Sequence, residues 1–272
     1  MKRVSLIGGA FLALLLFAGC GSADDGGGAA TGTVKQLAGK PIKGPKPKET
    51  IDQAKRRIVR TIASGDCEQI NKLNPISRPD YRTPEKCEEF KALARAGPSA
   101  AAVYSGGAVI EYPVKGRTLR AVLVVDSDGY YSIALVDRTH TGPSIGTKLS
   151  PEFDQVARQV VDAFRNTDCD AYTQLALRRY GVGSTGSCSF LENPQNPLSS
   201  VIDSYADARA KPLGGNRDYA FYGVASPAAF VTMILARESD SDVAAGTPPL
   251  PGDAPEYGFV NAFTATPGGG AG

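Results

Sequence analysis

IDQAKRRIVRTIASGDC, residues 51–67, lies over FDQVARQVVDAFRNTDC, residues 153–169, at a constant offset of 102 positions. Asp52/Asp154, Gln53/Gln155, Arg56/Arg158, Val59/Val161, Asp66/Asp168 and Cys67/Cys169 are identical, and Leu73/Leu175 continues the match. Self-similarity at a fixed period marks a structural unit written twice. The apolar positions coincide too. Ile51, Ala54, Ile58, Val59 and Ile62 recur at steps of a helix, as do Phe153, Val156, Val160, Val161 and Phe164, so each copy predicts one helix with a single apolar stripe.

Both helices carry start signals. Thr50 with Gln53 spells a capping box, and Ser150 followed by Pro151 and Glu152 offers a cap, a first-turn proline and an acid where the helix dipole favours one. Asp66 and Asp168 then predict caps of a second, shorter helix. In the first copy Thr83-Pro84-Glu85 opens a third helix that carries Cys87 and Phe90 and ends near Gly97-Pro98. Three strands are expected after it, at about 101–112, 117–126 and 130–138, joined by turns at Lys115-Gly116 and at Asp126 to Gly129. Leu119, Ala121, Leu123 and Val125 form one face of the middle strand, while Val122 and Val124 make its other face apolar, which predicts a central strand covered on both sides. The second copy is expected to place strands at about 199–210, 217–225 and 228–238, with turns at Gly214-Gly215 and Ser226-Pro227.

Helices followed by an antiparallel meander make an α+β plan, helices laid on one face of a curved sheet. This order, with the D-x6-V-x2-[IF]-x3-D-C opening, resembles the NTF2-like (cystatin-like) lipoprotein domains of actinobacterial-type cell envelopes. The resemblance covers about residues 50–138 and 150–238, and implies two NTF2-like domains at 50–141 and 150–238. It implies a conical cavity between the first helix and the sheet, used by different family members for catalysis, for binding, or only as packed core. It also implies a strand between the second and third helices, which is not evident in residues 74–82. Tandem copies are expected to pair as an intramolecular pseudo-dimer, by analogy with dimers of separate NTF2-like subunits.

The repeat organises the cysteines. Leaving Cys20 aside, four thiols remain and allow three pairings, of which only Cys67–Cys87 with Cys169–Cys188 uses the same pairing in both copies. The separations are 20 and 19. A metal site of four thiolates is the competing reading; it lacks any C-x-x-C pair. Structural disulfides are expected, and no metal or cofactor.

Outside the repeats the chain changes character. Lys2 and Arg3 precede an apolar stretch from Val4 to Phe17, then small residues and Cys20. That stretch is shorter than the roughly 20 residues a membrane span needs, so residues 1–19 read as an export signal. Leu16-Phe17-Ala18-Gly19-Cys20 resembles a bacterial lipobox, with Phe17 where the family has Leu. The resemblance implies that Cys20 is lipidated, palmitate among its acyl chains, and becomes the first residue of a protein anchored to the extracytoplasmic face of the cell membrane. Residues 20–49 read as a tether, first Gly/Ala-rich and then rich in Lys and Pro. Residues 239–272, rich in Pro, Gly and Ala, read as a largely unstructured tail, except that the aromatics of Tyr257 to Phe263 call for a surface to dock on.

Charge and composition narrow the function. Without residues 1–19 the chain holds 28 basic and 28 acidic side chains, which gives no electrostatic reason for a nucleic-acid partner. His140 is the only histidine. It lies just past a strand, in a position that favours a solvated side chain over a catalytic one. No G-x-S-x-G elbow, P-loop, H-E-x-x-H or dinucleotide fingerprint is present. Asp126 to Gly129 looks like the start of a calcium loop but lacks the remaining oxygen ligands, so a hairpin turn is expected. Arg56, Arg57 and Arg60, and Arg178 with Arg179, read as solvated helix faces. The function expected is a lipid-anchored, non-catalytic binding or interaction module of the envelope, with another envelope protein as partner. Two alternatives stand beside it: a carrier of a small apolar ligand in the NTF2-like cone, and an isomerase or dehydratase. The last would draw on Tyr104, Asp203, Tyr205, Tyr219 and Tyr222, which the family resemblance makes candidates for groups in the cone.

Overall fold

A computed structural model of the chain describes residues 36–73, 95–114, 117–137, 146–177, 196–237 and 256–265, with Cys87, Lys91, Leu93 and Leu191. The export signal, Cys20, residues 20–35, residues 74–82, the Thr83-Pro84-Glu85 helix start, Phe90, the Lys115-Gly116 turn, His140, Arg178, Arg179, Cys188 and residues 239–255 lie outside them.

The first repeat opens on α1 (Ile51–Ala63), started by the expected capping box: Thr50 Oγ1 accepts from the Gln53 amide while the Gln53 side chain accepts from the Thr50 amide at 2.7 Å. Ala54, Ile58 and Ile62 are its buried stripe. Asp66 caps α2 (Cys67–Asn71). Cys87, Lys91, Leu93, Arg95 and Ala96 are helical, and a disulfide joins Cys67 to Cys87 with Cα atoms 5.5 Å apart. Four antiparallel strands follow in sheet order: β1 (Ala100–Tyr104), β2 (Gly107–Val114), β3 (Arg117–Val125) and β4 (Tyr131–Asp137). The single strand expected over 101–112 is therefore a hairpin. Ser105 and Gly106 turn the chain, and the unbroken apolar run on either side hid the break.

In the second repeat α3 (Glu152–Asn166) buries Phe153, Val156, Val160, Val161 and Phe164, and Asp168 caps α4 (Cys169–Leu175). Ser150 does not cap α3 as expected. Its hydroxyl binds the Glu152 carboxylate, and Pro151 takes the cap position without a side-chain bond. The strand expected over 199–210 is replaced by helix α5 (Pro197–Ser204), capped by Asn196 and opened by Pro197. Leu198, Val201 and Ile202 are buried, a helical spacing that the β-branched pair masks in the sequence. Gly214-Gly215 belongs to strand β5 (Lys211–Gly215), and the turn falls at Asn216, whose side chain accepts from the amides of Asp218 and Tyr219. β6 (Tyr219–Ala225) and β7 (Phe230–Arg237) sit as expected, joined by a turn in which Ser226 Oγ accepts from the amides of Ala228 and Ala229.

The fourth strand of the second sheet comes from the expected tail. β8 (Tyr257–Thr264) pairs antiparallel with β7, so the second repeat reaches past residue 238, and among the described residues both sheets have four strands in chain order. The protein is α+β.

Each sheet carries its helices on one face. α1 packs on Ala108, Ile110, Tyr112, Leu119, Ala121 and Leu123; α3 and α5 pack on Ala220, Tyr222, Val224, Met233 and Leu235. The opposite faces of the two sheets meet each other. Val109, Val122 and Val124 of the first sheet form one cluster with Tyr219, Phe221, Ile234, Val260 and Phe263 of the second. β3 is thus covered on both sides, as the alternation of its sequence implied. The approach is close: a Cβ on Gly107 would meet the Leu123 carbonyl oxygen at 2.1 Å and the Phe221 ring at 2.6 Å, and the Ser105 amide donates to the Leu213 carbonyl at 2.9 Å.

The Lys/Pro-rich half of the expected tether is part of this body. Residues 36–49 run across both repeats as a strap. The Leu37 amide donates to Ser204 O, the Ile42 amide to Ser226 O and the Lys48 amide to Gly129 O, at 2.8–3.0 Å. Gly44 lies so close to the Phe230 ring that a Cβ would stand 2.7 Å from it.

Candidate functional site

Polar groups are buried where the two sheets meet. Arg120 occupies β3 two residues before Val122, on the face turned to the other sheet, and is 2% exposed. A cation cannot be stripped of water without partners. Its Nε donates to Glu111 Oε1 at 3.3 Å within the first sheet, and its Nη1 reaches Asp218 Oδ2 of the second repeat at 3.4 Å. Asp218 also takes Arg237 at 3.1 Å. Beside them the Tyr219 hydroxyl donates to the Asp137 carboxylate, again across the repeats. The two sheets are therefore joined by an apolar cluster along most of their facing surfaces and by a chain of charge-assisted hydrogen bonds at one end.

At that end a cavity of about 530 Å³ opens. The first repeat contributes Arg120, the connecting segment Lys148 and Ser150, and the second repeat Arg217, Asp218 and Arg237. Tyr257 closes one side with the start of α3 next to it, its hydroxyl 3.4 Å from Ser150 Oγ. Four cations against the carboxylates of Glu152 and Asp218 give the lining an excess of positive charge. Lys148 and Arg217 are exposed at the rim, while Arg120 is held on the floor by its carboxylate partners. A volume in the range of small-molecule sites, with convergent donors on a rigid seam, suits a polar ligand bearing an anionic group.

The tyrosines and aspartate singled out in the sequence do not converge. Tyr104 lies on the inter-sheet face, its hydroxyl donating to Gly146 O at 2.9 Å, and burial pushes its pKa up to about 12. Tyr219 is on the same face. Tyr205 and the exposed Asp203 stand at the end of α5 beside the strap, where partial burial raises the Asp203 carboxyl above its ordinary value. Only Tyr222 is under the helices. It donates to Asp154 Oδ1 at 2.6 Å, and burial first, then the hydrogen bond to that carboxylate, raises its pKa. A phenol so held is a hydrogen-bond donor to α3 at any ordinary pH. Tyr112, under α1, is buried, and its hydroxyl has no partner among the described residues.

Cys169 is disulfide-bonded. Asp126 holds its turn by accepting from the amides of Asp128 and Tyr130, so the carboxylate is engaged in the hairpin. Among the described residues no group of three or more His, Cys, Asp or Glu is placed to hold a metal ion, and no helix is long and apolar enough to cross a membrane.

The seam residues Arg120, Asp218 and Arg237 were not singled out by motif. A signal was present for one of them. Arg120 shares a face with Val122 and Val124, and a cation on an otherwise apolar strand face asks for a buried partner.

No family model, curated protein or solved structure matches the chain.

Proposed function

We propose that the chain is a lipid-anchored, extracytoplasmic envelope protein of two NTF2-like repeats that acts as a non-catalytic binding module, taking a small anionic ligand in the cavity between the repeats. The observation that carries this reading is the seam cavity itself: both repeats build it, and Lys148 and Arg217 offer exposed cations at its rim. The disulfide between Cys67 and Cys87, and the bonded Cys169, support an oxidising compartment. The repeat makes Cys188 the partner of Cys169. Ile58 and Tyr112 in one repeat, and Val160 and Tyr222 in the other, are buried between helices and sheet, whereas charged side chains line the seam cavity, which favours an anionic ligand there over an apolar one.

Native mass spectrometry of protein extracted from its membrane, together with thermal-shift titration against short-chain dicarboxylates and phosphate esters, tests the reading. The expected result is a retained anionic mass, or a ligand-dependent rise in Tm, that is lost in Lys148→Glu/Arg217→Glu. A bare protein with no thermal response to either class overturns it; a co-purified protein partner in that case makes the chain an interaction module instead.

A further inference from the structure

The side-chain charges of the chain beyond residue 19 balance, yet they are unevenly laid. Residues 36–60 hold eight cations and only two acids, Glu49 and Asp52. The fold turns this excess outward. The strap is hydrogen-bonded to both repeats at Leu37, Ile42 and Lys48, with Ile42 and Gly44 half-buried, while Lys40, Lys43 and Lys46 are exposed. Their spacing of three matches the turn of a polyproline-type strand, which keeps every third side chain on one side. α1 spends its opposite face on Ala54, Ile58 and Ile62, so Arg56 and Arg60 are exposed; with Val59, Pro98 and the Lys55–Asp52 ion pair at 3.7 Å they line an open depression of about 450 Å³, in which three cations outnumber one acid. Between strap and helix, Lys48 and Arg57 both lie over the ring of Tyr130, at 5.8 and 5.7 Å, and that ring is 43% exposed. Lys40, Lys43, Lys46, Arg56 and Arg60 make no ion pair among the described residues.

We infer that the strap and the outer face of α1 form a docking surface for anionic phospholipid headgroups of the membrane that holds the chain. The inference rests on the lipid-anchor reading for its geometry. Only residues 20–35 separate the proposed anchor from the strap, a reach of at most about 55 Å fully extended, so the strap is the part of the body joined most directly to the anchor. Cations near an anionic surface each strengthen binding by roughly fivefold at low salt, and the attraction decays over about 10 Å at 0.1 M ionic strength. The exposed Tyr130, amphipathic and flanked by cations, suits the headgroup level. A docked face would orient the body on the membrane instead of leaving it to swing on its tether.

The test uses the complete chain from residue 20 with Cys20→Ser, free of acyl groups, and vesicles of phosphatidylglycerol and phosphatidylcholine at 30:70 (about the anionic content that gives a strongly negative surface) or of phosphatidylcholine alone. Sedimentation is expected to show binding to the anionic vesicles only, weakening as NaCl rises, and at least tenfold weaker in Lys40→Glu/Lys43→Glu/Lys46→Glu/Arg56→Glu/Arg60→Glu. Equal binding of that variant, salt-insensitive binding, or no binding to anionic vesicles by the unsubstituted sequence overturns the inference. The salt titration keeps the test decisive if the variant does not fold. The mass of Cys20 in the native protein is read separately: an unmodified thiol removes the anchor while vesicle binding stands, and an acylated Cys20 with no vesicle binding removes the docking surface alone.

Discussion

Arg120 of the first sheet and Asp218 of the second repeat form an ion pair at 3.4 Å across the seam, with the arginine 2% exposed. This pair has no local origin in the chain; it exists because two sheets are stacked. Removing the cation takes from the buried Glu111 carboxylate its arginine and leaves Asp218 with Arg237 alone. Arg120→Ala is expected to lower unfolding free energy by about 3–5 kcal/mol, the usual result of breaking a buried pair from one side. Arg120→Met/Glu111→Leu, which removes charge from both sides, should cost less. Urea unfolding of both variants checks this, and an equal loss in the two contradicts it.

Two buried tyrosines predict opposite responses to the same substitution. Tyr222 donates to Asp154 at 2.6 Å, so Tyr222→Phe is expected to destabilise by about 1–3 kcal/mol. The Tyr112 hydroxyl has no partner among the described residues, so Tyr112→Phe should be neutral or stabilising by about 1 kcal/mol. Burial also pushes the Tyr112 phenol up to about 12. The folded protein therefore keeps this proton after the unfolded chain, with a tyrosine pKa of about 10, has lost it. Its contribution to stability is complete below pH 10 and falls by about 1.4 kcal/mol per pH unit between 10 and 12. Urea midpoints at pH 8 and 11 should fall more steeply in the native sequence than in Tyr112→Phe.

The residue before the Asp cap of the second helix takes the left-handed conformation in both repeats. It is Gly65 at φ 71° in the first and Thr167 at φ 51° in the second. A β-branched residue is strained there and glycine is not. Thr167→Gly is expected to raise stability by roughly 0.5–1 kcal/mol, less than the strain it relieves because glycine also frees the unfolded chain. Thermal melting measures it, and a lower Tm counts against the argument.

Cys67 and Cys87, separated by 20 residues, close a loop whose bridge is worth about 3 kcal/mol in the loop-entropy description. Cys67→Ala/Cys87→Ala should lower the urea midpoint accordingly. Peptide mapping without reduction is expected to recover this link and one between Cys169 and Cys188; a link between the two repeats contradicts the proposed pairing.

β8 completes the second sheet, burying Phe259, Val260 and Phe263, each worth about 1.5–3 kcal/mol against exposure. Truncation after residue 250 removes it and uncovers β7, whose residues are buried from Phe230 through Ala236. The truncated protein is expected to aggregate or melt far lower, because β7 becomes a long apolar edge. An unchanged Tm sinks this account.

Local chemistry that repeats is legible in the chain alone. The apolar stripe of α3, that of α1 apart from Val59, the capping box at Thr50 and the caps at Asp66 and Asp168 are decided within a few residues of chain, and they appear where the spacing puts them; Val59 turns outward into the depression beside Pro98. The two-sided covering of β3 is legible for the same reason, since Val122 and Val124 alternate with Leu119, Ala121 and Leu123 at the strand period of two. The remainder was settled by packing between distant segments. Whether 199–204 became helix, whether 257–264 became a strand, and which partner neutralised Arg120 depended on surfaces supplied by residues far along the chain. Short apolar runs fit helix and strand alike, and a buried charge names its need without naming its partner. Both questions close only when the two sheets are packed face to face.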